Sequence, residues 1–261
     1  MISTRLATRL GYWPPMYYRD FLGRIHEVLE PPTYLEIGVR NGDSLALSRS
    51  PAIGIDPAYR LNVAPGPGAK LFPVTSDAFF ERAEPLLSFG GRRVAFSFID
   101  GMHLSEFALR DFVNVERHAD WTAAIVFDDI LPRDVPEANR ERATHQWTGD
   151  VYKVLEVLEE HRPDLIVLRV GTEPTGLGLV LGLDPDSRVL AERLDAITEG
   201  LVRPDPQPVP AEVLERRGAL DPDTVLAASF WSLLRDLRER GAGRDDGLPQ
   251  LRAAIERDFG G

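Results

Sequence analysis

Two short groups, Asp100-Gly101-Met102-His103 and Asp128-Asp129, have the residue types and spacing to carry chemistry. Each follows an apolar run, Val94 to Ile99 and Ala123 to Phe127, so three carboxylates stand at the ends of two successive predicted strands. Adjacent acids after a buried strand repel one another unless a cation or an arginine lies between them. His103, three residues after Asp100, titrates near working pH and is a candidate general base, with His145 its rival. Plainer roles are a helix cap or supporting contact for His103, a solvated loop position for His145 and a simple turn for Asp128-Asp129. His26, His118 and His161 fall in helical contexts away from strand ends and read as structural or surface residues.

A second stretch must lie beside these acids for them to act on anything. Tyr34 to Ser44, with the sequence YLEIGVRNGDS, reads as a buried strand entering a glycine turn and then a helix of little more than two turns. Gly38 and Gly42 allow positive φ and close approach of a ligand to bare backbone N–H groups, and Asp43 and Ser44 can cap the helix. Glu36 lies inside the strand, where a carboxylate is costly unless something hydrogen-bonds or neutralises it. Ala52 to Asp56 is a second short strand closed by an acid, the order of a doubly wound half that binds a nucleoside, with Asp56 placed to accept ribose hydroxyls. Leu71 to Val74 is a third strand, with Ser76-Asp77 at its carboxyl end.

The rest of the chain supplies the frame. Helical spacing is predicted over 18–29, 78–87, 105–118 and 151–162; strands six and seven, 164–170 and 176–183, are joined by turn signals that make them an antiparallel hairpin. Residues 133–149, charged and containing Pro136, His145 and Trp147, read as a lid or long loop. Gly11 to Tyr18 reads as an aromatic arm. Its rings either cover the hydrophobic body or form an acceptor wall or subunit contact. Beyond Asp184, helices are predicted over 189–201 and 224–240, and 241–247 reads as a solvated loop. The expected organisation is an arm and helix over 1–32, a catalytic domain over 33–185, and a helical extension over 186–261 that covers the sheet edge or mediates a homodimer.

Composition narrows the partners. A chain of 261 residues with 43% hydrophobic content can bury a full core, and a formal charge of -11 without a basic stripe argues against nucleic acid or an anionic membrane. No cysteine is present, which excludes thiolate catalysis and cysteine zinc sites. With no signal-type or membrane-length apolar run, the expectation is a cytoplasmic protein.

From Thr33 to Leu183 the pattern resembles the class I S-adenosylmethionine-dependent methyltransferases, on the strength of the Glu36-to-Ser44 turn, Asp56 and the final strand pair. The third glycine of a nicotinamide turn is missing. A nearby carboxylate also suits a sulfonium and an amino group better than a diphosphate. The resemblance implies an α/β, Rossmann-like, seven-stranded sheet with an antiparallel last pair. It implies cofactor contacts from Glu36, Gly38, Asn41, Gly42, Ser44, Asp56, Ser76, Asp77 and Asp100. Within the class, FIDGMH at 98–103 and FDD at 127–129 resemble the metal-dependent group that methylates sugar hydroxyls. That likeness implies Mg²⁺ on Asp100, Asp128 and Asp129 and a base at His103. Mg²⁺ fits such a set because it takes hard oxygen ligands and few carboxylates. The implied function is methyl transfer from S-adenosylmethionine to a hydroxyl of a sugar or glycoside. The alternatives are a catechol-type phenol O-methyltransferase, with Trp13, Tyr17, Tyr18 and Trp147 as a stacking wall, and a catalytically silent S-adenosylmethionine-binding module.

Overall fold

The computed structural model describes residues 15–260. Residues 1–14, and with them the arm from Gly11 to Pro14, lie outside the described residues, as does Gly261. Among the described residues the first element is helix α1 (Tyr18–Leu29), which buries Phe21, Leu22, Ile25 and Leu29 along one face, as its 3.6-residue spacing predicts. Strand β1 (Tyr34–Ile37) follows, then β2 (Ala52–Ile55), β3 (Lys70–Phe72), helix α2 (Ser76–Phe80), β4 (Val94–Ile99), α3 (Ser105–His118), β5 (Ala119–Phe127), α4 (Lys153–His161), β6 (Ile166–Val170) and β7 (Leu177–Leu181). Five helices complete the chain: α5 (Val189–Leu201), α6 (Ala211–Leu214), α7 (Pro222–Leu226), α8 (Phe230–Glu239) and α9 (Arg244–Phe259).

The strands form one seven-stranded sheet in the order β3-β2-β1-β4-β5-β7-β6. β1 to β5 are parallel, and β7 runs antiparallel to both β5 and β6, as expected from the hairpin. The order reverses between β1 and β4, and in open parallel sheets the crevice at the carboxyl ends of the strands flanking such a reversal is the ligand site.

Both faces of the sheet are covered, which is why its strands read as apolar runs. Leu35, Ile37, Ile125 and Phe127 point into a core with Leu109 and Phe112 of α3, Leu155 and Leu158 of α4, and Leu190 of α5. Tyr34, Phe96, Ala124 and Val126 point the other way, against α1 and against Val225, Phe230, Trp231, Leu234 and Leu251 of the last three helices. The last three helices therefore form, with α1, one of the two layers on the sheet, while α5 packs into the other. Trp231 is fully enclosed there, its indole N–H donating to the Val225 carbonyl at 2.8 Å.

Three expectations are corrected. The turn after Gly42 runs into a single 3-10 turn, Leu45–Leu47, because the Ser44 hydroxyl bonds Glu36 and only a few residues remain before Pro51 leads into β2. The helix predicted over 224–240 is broken into α7 and α8, since the Asp258 carboxylate accepts the N–H groups of Ser229 and Phe230 at 2.8 and 3.2 Å and starts a new helix there. The predicted loop 241–247 is largely the first turn of α9. There Gly247 lies against the Trp121 ring so closely that a Cβ would be 2.1 Å from it. Among the described residues no helix is long and apolar enough to cross a membrane.

Candidate active site

The carboxyl ends of β1, β4 and β5 are stitched together by backbone bonds. Asp100 N–H donates to the Ile37 carbonyl at 2.8 Å, and Asp128 N–H to the Ile99 carbonyl at 3.1 Å. Gly38 follows β1 with φ +91, and a Cβ on it would lie 1.8 Å from the Asp100 carbonyl oxygen. Only glycine lets the two strand ends approach this closely. In front of them opens a cavity of about 610 Å³, lined by Tyr17, Tyr18, Gly38, Arg40, Asp56, Asp100, Gly101, Met102, His103, Asp128, Asp129, Arg142, His145, Gln146, Trp147 and Thr175, among others. A groove of about 490 Å³ between α4 and α5 meets none of the strand ends.

The cavity brings together most of the residues expected to do chemistry, and divides those expected to hold a cofactor. Gly38, Asp56 and Asp100 line it. Asp56 is aimed by its own backbone surroundings, accepting the Arg40 N–H and the Ala58 N–H at 2.7 Å each. Glu36, Asn41, Gly42 and Ser44 are not in the lining and build the turn from behind. Tyr34 and Glu36 share a face of β1, being two residues apart. The Tyr34 hydroxyl donates to one Glu36 oxygen at 2.6 Å and Ser44 Oγ to the other at 2.8 Å. Burial nonetheless pushes the Glu36 carboxyl up to about 8, with the charges of Asp100 and Asp56 adding to it against the two hydroxyl bonds. Asn41 bonds Asp43, which also pairs with Arg19. Ser76 and Asp77 begin α2 outside the cavity lining. Asp77 pairs with Arg110 at 3.1 Å, and Ser76 bonds the buried Asp111 carboxyl.

His103 sits among the acids. Its Nε2 is 3.2 Å from Asp100 Oδ1, and its Nδ1 is 2.7 Å from both Asp129 Oδ2 and the Trp147 carbonyl oxygen. The Trp147 ring stacks on the imidazole at 5.2 Å, nearly parallel. Burial opposes a charged ring, but the hydrogen bonds and charges of Asp100 and Asp129 outweigh it and push His103 up to about 11, so in this arrangement it is an imidazolium. Asp128 has no such partner. It is nearly buried, its Oδ1 accepts only the Asp129 N–H at 2.9 Å, and burial together with the charges of Asp129 and Asp100 pushes its carboxyl well up. Burial also raises Asp100, against its bond to His103.

Three carboxylates facing one imidazolium leave negative charge uncompensated, and such a set fits a small divalent cation. Ligand atoms of Asp100, His103 and Asp129 all lie within 4.8 Å of one another, and Asp128 adjoins them in the cavity lining. Strain marks the same place. Arg40, His103 and Asp129 have φ of 50, 55 and 62, a conformation that costs a non-glycine residue about 1–3 kcal/mol, and all three line the cavity.

The lid is more firmly built than its composition predicts. Residues 128–152 contain no helix or strand, yet Glu137, Ala138, Thr148 and Asp150 are buried. The tip, with Arg142, His145 and Gln146, is exposed and reaches the cavity. Among the polar lining residues, Arg40, Arg142, Gln146 and Thr175 carry no functional expectation from the sequence. Arg40 could have been found as the one cation within the glycine turn. Tyr18 was expected only as part of a wall. Its ring stacks on Phe98, and burial, then Asp128 and Asp100, push its phenol up, so it stays an O–H donor beside the acids.

No protein-family model matches the chain, and no curated protein matches it. Among solved structures it is similar to the O-methyltransferase TomG from Streptomyces achromogenes, involved in tomaymycin synthesis and solved with S-adenosylmethionine. That match has 15% identity and a TM-score of 0.48 over 64% of this chain and 80% of that one. An O-methyltransferase from Bacillus cereus in complex with S-adenosylhomocysteine matches at 13% identity and a TM-score of 0.45, over 69% of this chain and 88% of that one. A methyltransferase from Podospora anserina with S-adenosylhomocysteine bound matches at 13% identity and a TM-score of 0.46, over 64% and 78%. At these identities the likeness is one of fold.

Proposed function

We propose that this chain transfers a methyl group from S-adenosylmethionine to a hydroxyl of a sugar or glycoside, with a divalent cation, Mg²⁺ by preference, held by Asp100, Asp128 and Asp129. The observation that carries the reading is the meeting, in one cavity at the reversal of the sheet, of the Gly38 turn and Asp56 with three acids around His103. Asp56 would take the ribose hydroxyls, and the carboxylates suit a cationic sulfonium. The cation, when bound, lowers the pKa of a hydroxyl and fixes its position.

This chain's residues then do the rest. The acceptor oxygen attacks the methyl carbon, the O–C bond forming as the C–S bond breaks, and the sulfonium leaves as a neutral thioether. The hydroxyl proton must go to a base, and the cavity offers two imidazoles. His103 is held as a cation between Asp100 and Asp129, so it would first have to release its own proton, as it would once a bound cation engaged those carboxylates, and only the neutral imidazole would then take the hydroxyl proton. His145, exposed at the lid tip, is the alternative. Trp147 and the lid tip would screen the reacting atoms from water.

A second reading is a phenolic acceptor of the catechol type, which Tyr17, Tyr18 and Trp147 in the lining favour as stacking partners. Mass spectrometry decides between them: the chain is incubated with S-adenosylmethionine, Mg²⁺ and a panel of glycosides and catechols. A gain of one methyl on glycosides supports the first reading, on catechols alone the second. A gain on none, with S-adenosylmethionine bound, would leave a silent binding module.

A further inference from the structure

The turn carrying His103 is fastened from outside the cavity by a buried carboxylate. Asp150, fully enclosed, accepts the Ser105 N–H through Oδ1 at 2.8 Å. Ser105 is the first residue of α3, and Leu104 before it provides no side-chain cap, so Asp150 caps this helix from 45 residues away. Gly149, next to it, lies so close to the same turn that a Cβ would be 1.6 Å from the His103 carbonyl oxygen. The Trp147 carbonyl meets His103 Nδ1. The strap 147–150 thus holds the turn 103–105 at three points.

Asp150 is itself held by two cations. Its Oδ2 accepts from Arg140 Nη1 and from Lys153 Nζ, at 2.8 Å each. Arg140 forks onto Glu106 in the first turn of α3, at 2.6 and 3.0 Å. Lys153 spends its other two protons on the Leu201 carbonyl at 2.9 Å and Gln207 Oε1 at 2.7 Å. Every donor of the buried ammonium is used, so the network has one geometry. It joins the lid, α3, α4 and the segment after α5.

We propose that Asp150 is a positioning residue: through the Ser105 N–H and the strap it fixes the His103 turn, and so sets the spacing of Asp100, His103 and Asp129 that the site needs. This rests on the reading of those acids as the cation site. Nothing in Asp150 touches the cavity, and its charge is balanced by Arg140 and Lys153 rather than by any reacting group.

The test is Asp150→Asn on the full chain, with two readouts. Amide hydrogen exchange should speed at least tenfold at residues 103–106 and stay unchanged in β1. Mn²⁺, titrated as a paramagnetic probe by electron paramagnetic resonance, should bind at least tenfold more weakly, as loss of supporting contacts around a metal typically does. Leu158→Ala, which costs stability in the neighbouring core of α4, should leave the Mn²⁺ affinity within twofold. If Asp150→Asn does not fold, Lys153→Met keeps the Ser105 and Arg140 bonds, and both readouts should move about threefold. Unchanged exchange at the turn, or faster exchange with Mn²⁺ affinity intact, overturns the proposal. Wild-type protein that binds no Mn²⁺ overturns the cation reading instead, and the exchange measurement still decides whether Asp150 holds the turn.

Discussion

Gly38 and Asp100 approach so closely that the Asp100 carbonyl oxygen occupies the place where any other residue would carry its Cβ. The contact joins the glycine turn to the first acid and makes them one site. Gly38→Ala would have to separate β1 from β4 and adopt a left-handed backbone. It is expected to cost about 2–4 kcal/mol of stability and to abolish S-adenosylmethionine binding, read by chemical denaturation and calorimetry.

Asp128 is the acid with the least compensation, and a bound cation is what would let it stay charged. Chelation with EDTA should abolish transfer and Mg²⁺ should restore it. Asp128→Asn should lower kcat by about 100-fold while the Kd for S-adenosylmethionine changes less than threefold. Parallel loss of both would assign Asp128 to the cofactor.

Trp147 stacks on His103 and lines the cavity from the lid. Trp147→Ala keeps the carbonyl that meets His103 and removes the ring. The acceptor KM should rise about tenfold with a smaller change in kcat, measured by initial rates at saturating S-adenosylmethionine.

His26 and Glu36 give stability opposite slopes with pH. His26 is buried edge-on against Tyr34 and Phe96 with neither ring nitrogen hydrogen-bonded, and burial, aided by Arg49, lowers it from 6.5 to about 4. The unfolded imidazole takes a proton below 6.5 and the folded one only below about 4, so stability falls as pH drops through that window, by about 3 kcal/mol in full. His26→Phe should flatten that slope in urea denaturation at several pH values. Glu36 is the reverse case, with a folded value near 8 against an ordinary 4.5, so its contribution is present at low pH and lost as pH rises through 8. Glu36→Gln should remove that loss, which accumulates as pH rises from 4.5 to about 8.

The sequence shows the sheet and the acids because both are written locally. Apolar runs such as Val94 to Ile99 are what a strand covered on two faces requires, and the acids follow those runs directly. What it hides depends on partners far along the chain. Ser44 looks like a helix cap until Glu36 takes its hydroxyl, and Ser229 starts a helix because Asp258 reaches it from 29 residues away. The charged stretch 133–149 reads only as a lid or long loop because Arg140 and Glu106, which pair, are 34 residues apart. Ser76 and Asp77 follow β3 as the pattern expects, but β3 is the edge strand, and their side chains turn to α3.

The layer formed by α1 with α7, α8 and α9 sets the order in which the molecule can be made. Arg24 reaches Asp223, Arg238 reaches the Leu29 carbonyl, and α1 shares its core with Trp231 and Leu251. During synthesis, α1 and one whole face of the sheet must wait for Trp231 and Leu251 to leave the ribosome before their apolar surface is hidden. Until then the nascent chain offers Phe96, Phe98 and Val126 to whatever binds them, so chaperone dependence should end only when residues beyond 250 emerge.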